Sequence, residues 1–466
     1  MSWWPVAIIV FGVNFTVWAT LGLARLIEET WGKRTLRGRL RRRGWGSTAS
    51  MTVQDVAVLI PAHNEELVIE PSIEAIAALV PRHNIHVVSD GSTDQTAELA
   101  RRSGVNVIET RTNVGKAGAL EEAIDRFGIV ERFGAVLLLD ADTTIQPGYF
   151  DAALPHFDDP TVVAVAGAVR THWHHRGLSL IGKVLVCHRQ RIYAISQRLL
   201  KFGQTWRFTN ATHIVPGFAS MYRTSVLPFI EMNPPGLVIE DFNMTFEIYQ
   251  KRLGKVAFSL GAVAVTQDPD NLRDYVRQIK RWGLGLWQTV RRHPPRLSLF
   301  SAMLTMLLLE LLTSSIFFLV LPLLVLVLAV PTMYPDALAW PGVAPMYEIV
   351  DTHMSLQVLL LAVTGADLAL TCLVTLIERK LRFLALWIFF PFLRVLDAAV
   401  ALYVFPKAWL SSTGRWTSPA RRTVLVQPTL VQPTMVPVRS TAARPALAQK
   451  MTLPAAVTAS SAEWAE

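Results

Sequence analysis

Cysteine is nearly missing from this chain: its 466 residues include two, Cys187 and Cys372. The second lies inside an apolar run, so neither a disulfide framework nor a cysteine metal site is available. Charge is scarce as well. Only 17% of residues are Asp, Glu, Lys or Arg, too few for an ordinary soluble enzyme, which points to several membrane spans. The length exceeds what one compact domain usually holds, so a soluble domain accompanies those spans. The net charge of +9 does not make nucleic acid the expected partner. The basic residues cluster beside apolar runs, seven of them between Lys33 and Arg43, and anionic lipid headgroups suit that placement.

Residues 3–27 form an apolar run without a charge before Arg25, and the basic cluster follows it. That asymmetry predicts an external N-terminus and a cytosolic domain after it. A cleavable signal peptide would carry its positive charge ahead of the apolar stretch instead. Three further runs follow His293-Pro294-Pro295, at Leu299 to Val330, Met354 to Ile377 and Phe383 to Pro406. Each is long enough to cross a bilayer. The connector from Pro331 to Asp351 has no Lys or Arg and reads as external, whereas Glu378 to Arg382 is basic and reads as cytosolic.

A strict count then puts the C-terminus outside, against the basic residues Lys407, Arg415, Arg421 and Arg422. One resolution is a last segment that bends back or lies at the interface. It carries Arg394 and Asp397, whose spacing of three predicts a pair on one helix face. From Val424 onward the chain repeats Leu-Val-Gln-Pro-Thr twice and then runs through Pro, Ala, Ser and Thr. No core can form there, so a disordered tail is expected.

Between these ends, short β-branched runs alternate with helical stretches, the pattern of an α/β domain with a mostly parallel sheet. Strands are expected at Val56 to Ile60, Ile85 to Val88, Val105 to Ile108, Ala135 to Leu139 and Val162 to Ala166. Ligands of open α/β sheets sit beyond the carboxyl ends of the strands. The loops at Pro61 to Glu65, Asp90 to Asp94 and Asp140 to Asp142 all occupy such ends, so one crevice is expected to collect them. From Leu178 to Lys201 apolar residues recur at helical spacing with basic residues between them. A helix on the membrane surface and an ordinary helix packed on the sheet both fit. A second amphipathic helix is expected from Leu272 to Arg292.

Several short signatures carry chemistry. Asp140 and Asp142 flank one residue at a strand end and offer hard oxygens to a divalent cation, although such pairs often only solvate a turn. Lys116, in Gly115-Lys116-Ala117-Gly118, could reach a phosphate. Asp90-Gly91-Ser92 also reads as a turn and helix cap. Glu240-Asp241 opens a helix, where the dipole alone favours acids, yet an ionised carboxylate there could act as a general base. Gln278, Arg281 and Trp282 fall within about one helical turn. Arg281 could meet a developing diphosphate charge, and Trp282 offers a flat apolar face to a sugar.

In their order, and with a membrane following, these signatures resemble the processive family 2 glycosyltransferases, the membrane enzymes that include cellulose and hyaluronan synthases. Arg415-Trp416-Thr417-Ser418-Pro419-Ala420-Arg421 is similar to the closing stretch of poly-β-1,6-N-acetyl-D-glucosamine synthases. The resemblance implies a GT-A-like domain that binds a UDP-sugar with Mg2+ or Mn2+. By it, Pro61, Ala62, Glu65 and Asp90 hold the uridine, Lys116 and Arg281 the phosphates, Gln278 the nucleotide sugar, and Asp140 and Asp142 the ribose and metal. Asp241 becomes the base with Glu240 in support, Trp282 and Gly217 bind the acceptor, and Trp416 gates the site. Ser89 stands where an aspartate is usual and Glu121 where an asparagine is usual.

The implied activity is inverting polymerisation of a sugar, N-acetylglucosamine by the Trp416 stretch, with extrusion through a multi-pass plasma-membrane protein. The growing polysaccharide, the bilayer and an accessory membrane subunit are the implied partners. A single-transfer enzyme acting on a lipid or other carrier is the alternative. A transporter would leave the aspartates without a task. The expected organisation is an N-terminal span at 1–28, a basic linker at 29–54, the transferase domain at 55–270 and an interfacial helix at 271–298. Spans at 299–410, a gating segment at 411–423 and a tail at 424–466 complete it.

Overall fold

The computed structural model describes residues 12–34, 51–173 and 177–410. Trp416, most of the basic cluster and the repeat-bearing tail lie outside the described residues. The domain is built on an eight-stranded sheet in the order β3-β2-β1-β4-β7-β6-β8-β5. The strands are β1 (Val56–Ala62), β2 (Ile85–Ser89), β3 (Asn106–Glu109), β4 (Ala135–Leu139), β5 (Thr144–Ile145), β6 (Val162–Thr171), β7 (Ala219–Arg223) and β8 (Lys255–Thr266).

The first four strands pair in parallel. β7 runs antiparallel between β4 and β6, and β5 runs antiparallel on β8. The sheet is therefore mixed, with a parallel half that the alternating pattern foretold. β7 escaped that pattern because its Ala-Ser-Met-Tyr-Arg run is half polar; Ser220 is buried and bonds the carbonyl of Pro216 at 2.7 Å.

All seven residues of β1 are buried. Val56, Val58 and Ile60 enter one core layer while Ala57 and Leu59 enter the other, as the two-residue period of a strand covered on both faces requires.

Helices of seven residues or more are numbered α1 (Val13–Arg34), α2 (Ile69–Ala77), α3 (Thr96–Arg102), α4 (Gly115–Arg126), α5 (Leu180–Ile195), α6 (Glu240–Gln250), α7 (Leu272–Arg292), α8 (Leu299–Met333), α9 (Val343–His353), α10 (Leu356–Glu378) and α11 (Trp387–Leu410). Among the described residues α8, α10 and α11 are long and apolar enough to cross a membrane. Asn271 caps α7 by accepting from Asp274 N at 2.9 Å, which satisfies a free amide of the first turn. α5 continues through a π-helical stretch, Ser196–Lys201. Its His188, Arg189 and Arg191 are buried, so this helix is packed within the protein.

α1 starts at Val13 and runs past residue 28. It lies on the sheet domain: Arg25 donates to the Phe202 carbonyl at 2.8 Å and Thr205 Oγ1 at 3.0 Å, and Glu28 accepts from Trp206 Nε1 at 2.8 Å. α11 lies along α7, where Val400, Val404 and Ala408 pack with Trp287.

The expected pair of Arg394 with Asp397 does not form. Arg394 approaches Asp367 of α10 at 3.6 Å. Asp397 instead accepts from Tyr275 Oη at 2.8 Å and faces His188 Nε2 at 3.3 Å. Charges in apolar helices need partners, and neighbouring helices supply them here where a single helix face was expected to.

Candidate active site

The carboxyl ends of β1 and β4 open into a cavity of about 780 Å³. Three distant stretches meet on its wall. Lys116, at the start of α4, reaches Asp140 Oδ1 at 2.7 Å, Glu240 Oε1 at 2.8 Å and the Gly217 carbonyl at 3.1 Å. Burial works against its ammonium, but the Asp140 and Glu240 charges outweigh that and push its pKa up. The lysine thereby ties the loop after β4 to the first turn of α6.

Asp241 follows on that turn. Its Oδ2 accepts from Gly217 N at 3.2 Å and its Oδ1 from Phe242 N at 2.7 Å. Burial first, and then the Glu240 charge, push its carboxyl up to about 7. Such a group is both ionised and basic near neutrality, as a general base needs to be.

α7 forms another wall with Gln278, Arg281 and Trp282. Arg281 makes no ion pair with a described residue, so its charge is available to a ligand. Pro61, Glu65 and Gly217 also line the cavity, as do Asp140 and Asp142. Among the described residues no group of three or more His, Cys, Asp or Glu side chains forms a ready cation cage. Two carboxylates are what a small hard cation takes when phosphate and water complete its shell.

Asp90 and Ala62 stand behind this wall. Asp90 is fully buried and accepts from Thr110 Oγ1 at 2.9 Å, Val114 N at 2.8 Å and Gly115 N at 2.9 Å. It thus shapes the turn, with Gly115 at φ +84°, from which Lys116 projects. Ser89 bonds Ser92 at 2.9 Å. Glu121 accepts from Asn233 N at 3.0 Å and braces the loop holding Pro234-Pro235-Gly236, which lines the cavity.

Some wall residues were not anticipated. Tyr193, Gln197, Lys201 and Gln204 reach the cavity from α5 and its continuation, joined by His213 and Asp268. A reading at 3.6 residues per turn cannot place Lys201, because the π-helical stretch shifts the face it presents. Burial lowers the Lys201 pKa to about 8, while the Asp241 charge acts in the opposite direction.

Residues 57–228 match the sequence profile of Glycosyl transferase family 2. The chain is accordingly an enzyme of the glycosyltransferase class with a GT-A-like fold and a helical C-terminal region. The matched stretch runs from β1 through β7 and so includes Asp140, Asp142 and Lys116, while Asp241 and α7 lie beyond it. No curated protein matches the chain.

Among solved structures, a mannosyltransferase from Pyrobaculum calidifontis in complex with GDP-Man and Mn2+ is similar over 83% of this chain and 99% of its own, at 18% identity and a TM-score of 0.47. Glucosyl-3-phosphoglycerate synthase from Mycobacterium tuberculosis in complex with Mn2+, uridine diphosphate and phosphoglyceric acid is similar over 53% of this chain and 82% of its own, at 17% identity and a TM-score of 0.32. Mannosyl-3-phosphoglycerate synthase from Rubrobacter xylanophilus is similar over 55% of this chain and 77% of its own, at 20% identity and a TM-score of 0.34.

Proposed function

We propose that the protein transfers a sugar from a UDP-sugar to an acceptor hydroxyl with inversion, and repeats the step to build a polysaccharide. The observation that carries this reading is the meeting of Lys116, Asp140, Glu240 and Asp241 on one wall that also holds Gln278, Arg281 and Trp282.

In the proposed step Asp241 takes the proton of the acceptor hydroxyl. The hydroxyl oxygen bonds the anomeric carbon as the bond to the phosphate oxygen breaks. Arg281 meets the charge that develops on the departing diphosphate. Glu240, held by Lys116, keeps the first turn of α6 in register with the loop after β4. Trp282 supports the acceptor ring. Asp140 and Asp142 would hold Mg2+ or Mn2+, which when bound neutralises diphosphate charge. Pro61 and Glu65 line the wall for the nucleoside, with Asp90 organising the loop behind.

The donor sugar in this reading is N-acetylglucosamine, and the cavity faces the cytosol at the mouth of α8, α10 and α11, with the N-terminus outside and the product passing outward. A panel of UDP-sugars with magnesium or manganese, offered to the purified protein, tests it by the size of the product. A long polymer from UDP-N-acetylglucosamine is expected. A single addition would make this a carrier-loading enzyme, and no transfer from any UDP-sugar would end the proposal.

A further inference from the structure

Arg189 is 3% exposed, and no described carboxylate forms a salt bridge with it. Its Nη2 donates to Gln278 Oε1. Its guanidinium lies 4.2 Å from the centre of the Trp282 ring and 5.1 Å from that of Tyr275. Two of the three signature residues on α7 therefore rest on one buried arginine supplied by α5.

Fold stability does not explain this choice of residue. Burial works against this guanidinium, and the surrounding acidic groups Asp268 and Asp397 offset that from beyond salt-bridge distance, while a cation–π contact returns about 0.5–2 kcal/mol. Its Nε also lacks a hydrogen-bond partner. A methionine or leucine would fill the same space at lower cost. What an apolar side chain could not do is hold Gln278 by a directional hydrogen bond while covering one flat face of Trp282 with a flat cation.

We propose that Arg189 is a positioning residue for glycosyl transfer: it fixes Gln278 and the Trp282 ring in the wall of the cavity, and so sets acceptor binding and product length. The inference rests on the proposed acceptor role of Trp282. Tyr275 extends the same brace to the apolar helices, since its hydroxyl bonds Asp397 of α11 at 2.8 Å. The acceptor platform is thereby anchored on the helix along which the product would leave.

The test compares full-length wild type, Arg189→Met, Arg189→Lys and Trp282→Ala in detergent, measuring UDP binding, the KM for an acceptor oligosaccharide and product length. Arg189→Met should weaken UDP binding modestly through the freed Gln278, raise the acceptor KM by about tenfold and yield short products, as Trp282→Ala does. Arg189→Lys keeps the charge and a donor for Gln278 but loses the flat stack, so it should fall between. Adding Arg189→Met to Trp282→Ala should cause little further change in KM.

The proposal is overturned if Arg189→Lys, and Arg189→Met where it folds, keep wild-type acceptor KM and product length while only the yield of UDP-binding protein declines. Failure of wild type to transfer from any UDP-sugar would instead remove the underlying reading.

Discussion

At the scale of single residues, the proposed mechanism turns on Asp241. Its carboxyl is held up to about 7, so transfer should rise with pH through the neutral region and level off above it. Asp241→Asn should abolish transfer while UDP binding, which involves other walls of the cavity, persists. The same shift governs stability. From about pH 4 to about 7 the folded carboxyl keeps a proton that the unfolded chain has lost, so its contribution to stability declines as pH rises across that window. The asparagine variant escapes this loss. Its thermal midpoint should therefore exceed that of wild type at pH 8 and approach it at pH 4, and a calorimetric pH series would show the opposite order if Asp241 were stabilised as a charge.

Lys116, Glu240 and Asp241 were legible as single residues from their motifs. That Lys116 would bind both Asp140 and Glu240 was not, because only the sheet order brings those loops together. Arg189 carried no sequence signal at all: its partners lie on α7, far along the chain, and a basic residue on an amphipathic helix reads as a solvated face.

At the scale of elements, the alternation of short β-branched runs with helical stretches located the parallel strands β1 to β4, and helical spacing located α7 at its observed bounds. The antiparallel strand β7 was hidden because its polar residues are satisfied by local backbone, which a hydrophobicity pattern does not register. Between helices the decisive feature is small size. A side-chain carbon placed on Gly283 of α7 would lie 2.8 Å from Val404 Cγ2 of α11, closer than packed carbon atoms tolerate. Gly283→Ala should lower stability by about 1–3 kcal/mol through overpacking. Val404→Ala should recover much of that loss in the double variant although it is destabilising alone, because it opens the space the new methyl needs. Thermal unfolding of the four proteins in detergent measures the coupling, and simple additivity would show that α7 and α11 do not press together at this point.

At the scale of the whole molecule, apolar length foretold three of the helices, but sequence treated them as an appendage to a soluble enzyme. The packing joins the two parts. Phe246 of α6 meets Phe300 of α8 edge-on, with ring centres 5.1 Å apart, and Tyr249 stacks on the same ring at 4.5 Å. Trp287 of α7 packs against Phe405 of α11 at 4.7 Å. Arg191 of α5 pairs with Asp367 of α10, where both are buried.

A fragment ending at His293 would thus expose Phe246 and Trp287 and leave Arg191 without its carboxylate. Each uncovered aromatic forfeits about 1.5–3 kcal/mol of burial, and the orphaned charge costs several more, against a total domain stability of about 5–15 kcal/mol. Residues 51–293 should consequently aggregate when expressed without detergent, whereas a chain extended to residue 410 should run as a defined species in detergent and bind UDP. Size-exclusion chromatography with UDP titration distinguishes them. A monodisperse, UDP-binding 51–293 fragment would mean that the cavity wall on α7 stands without the apolar helices.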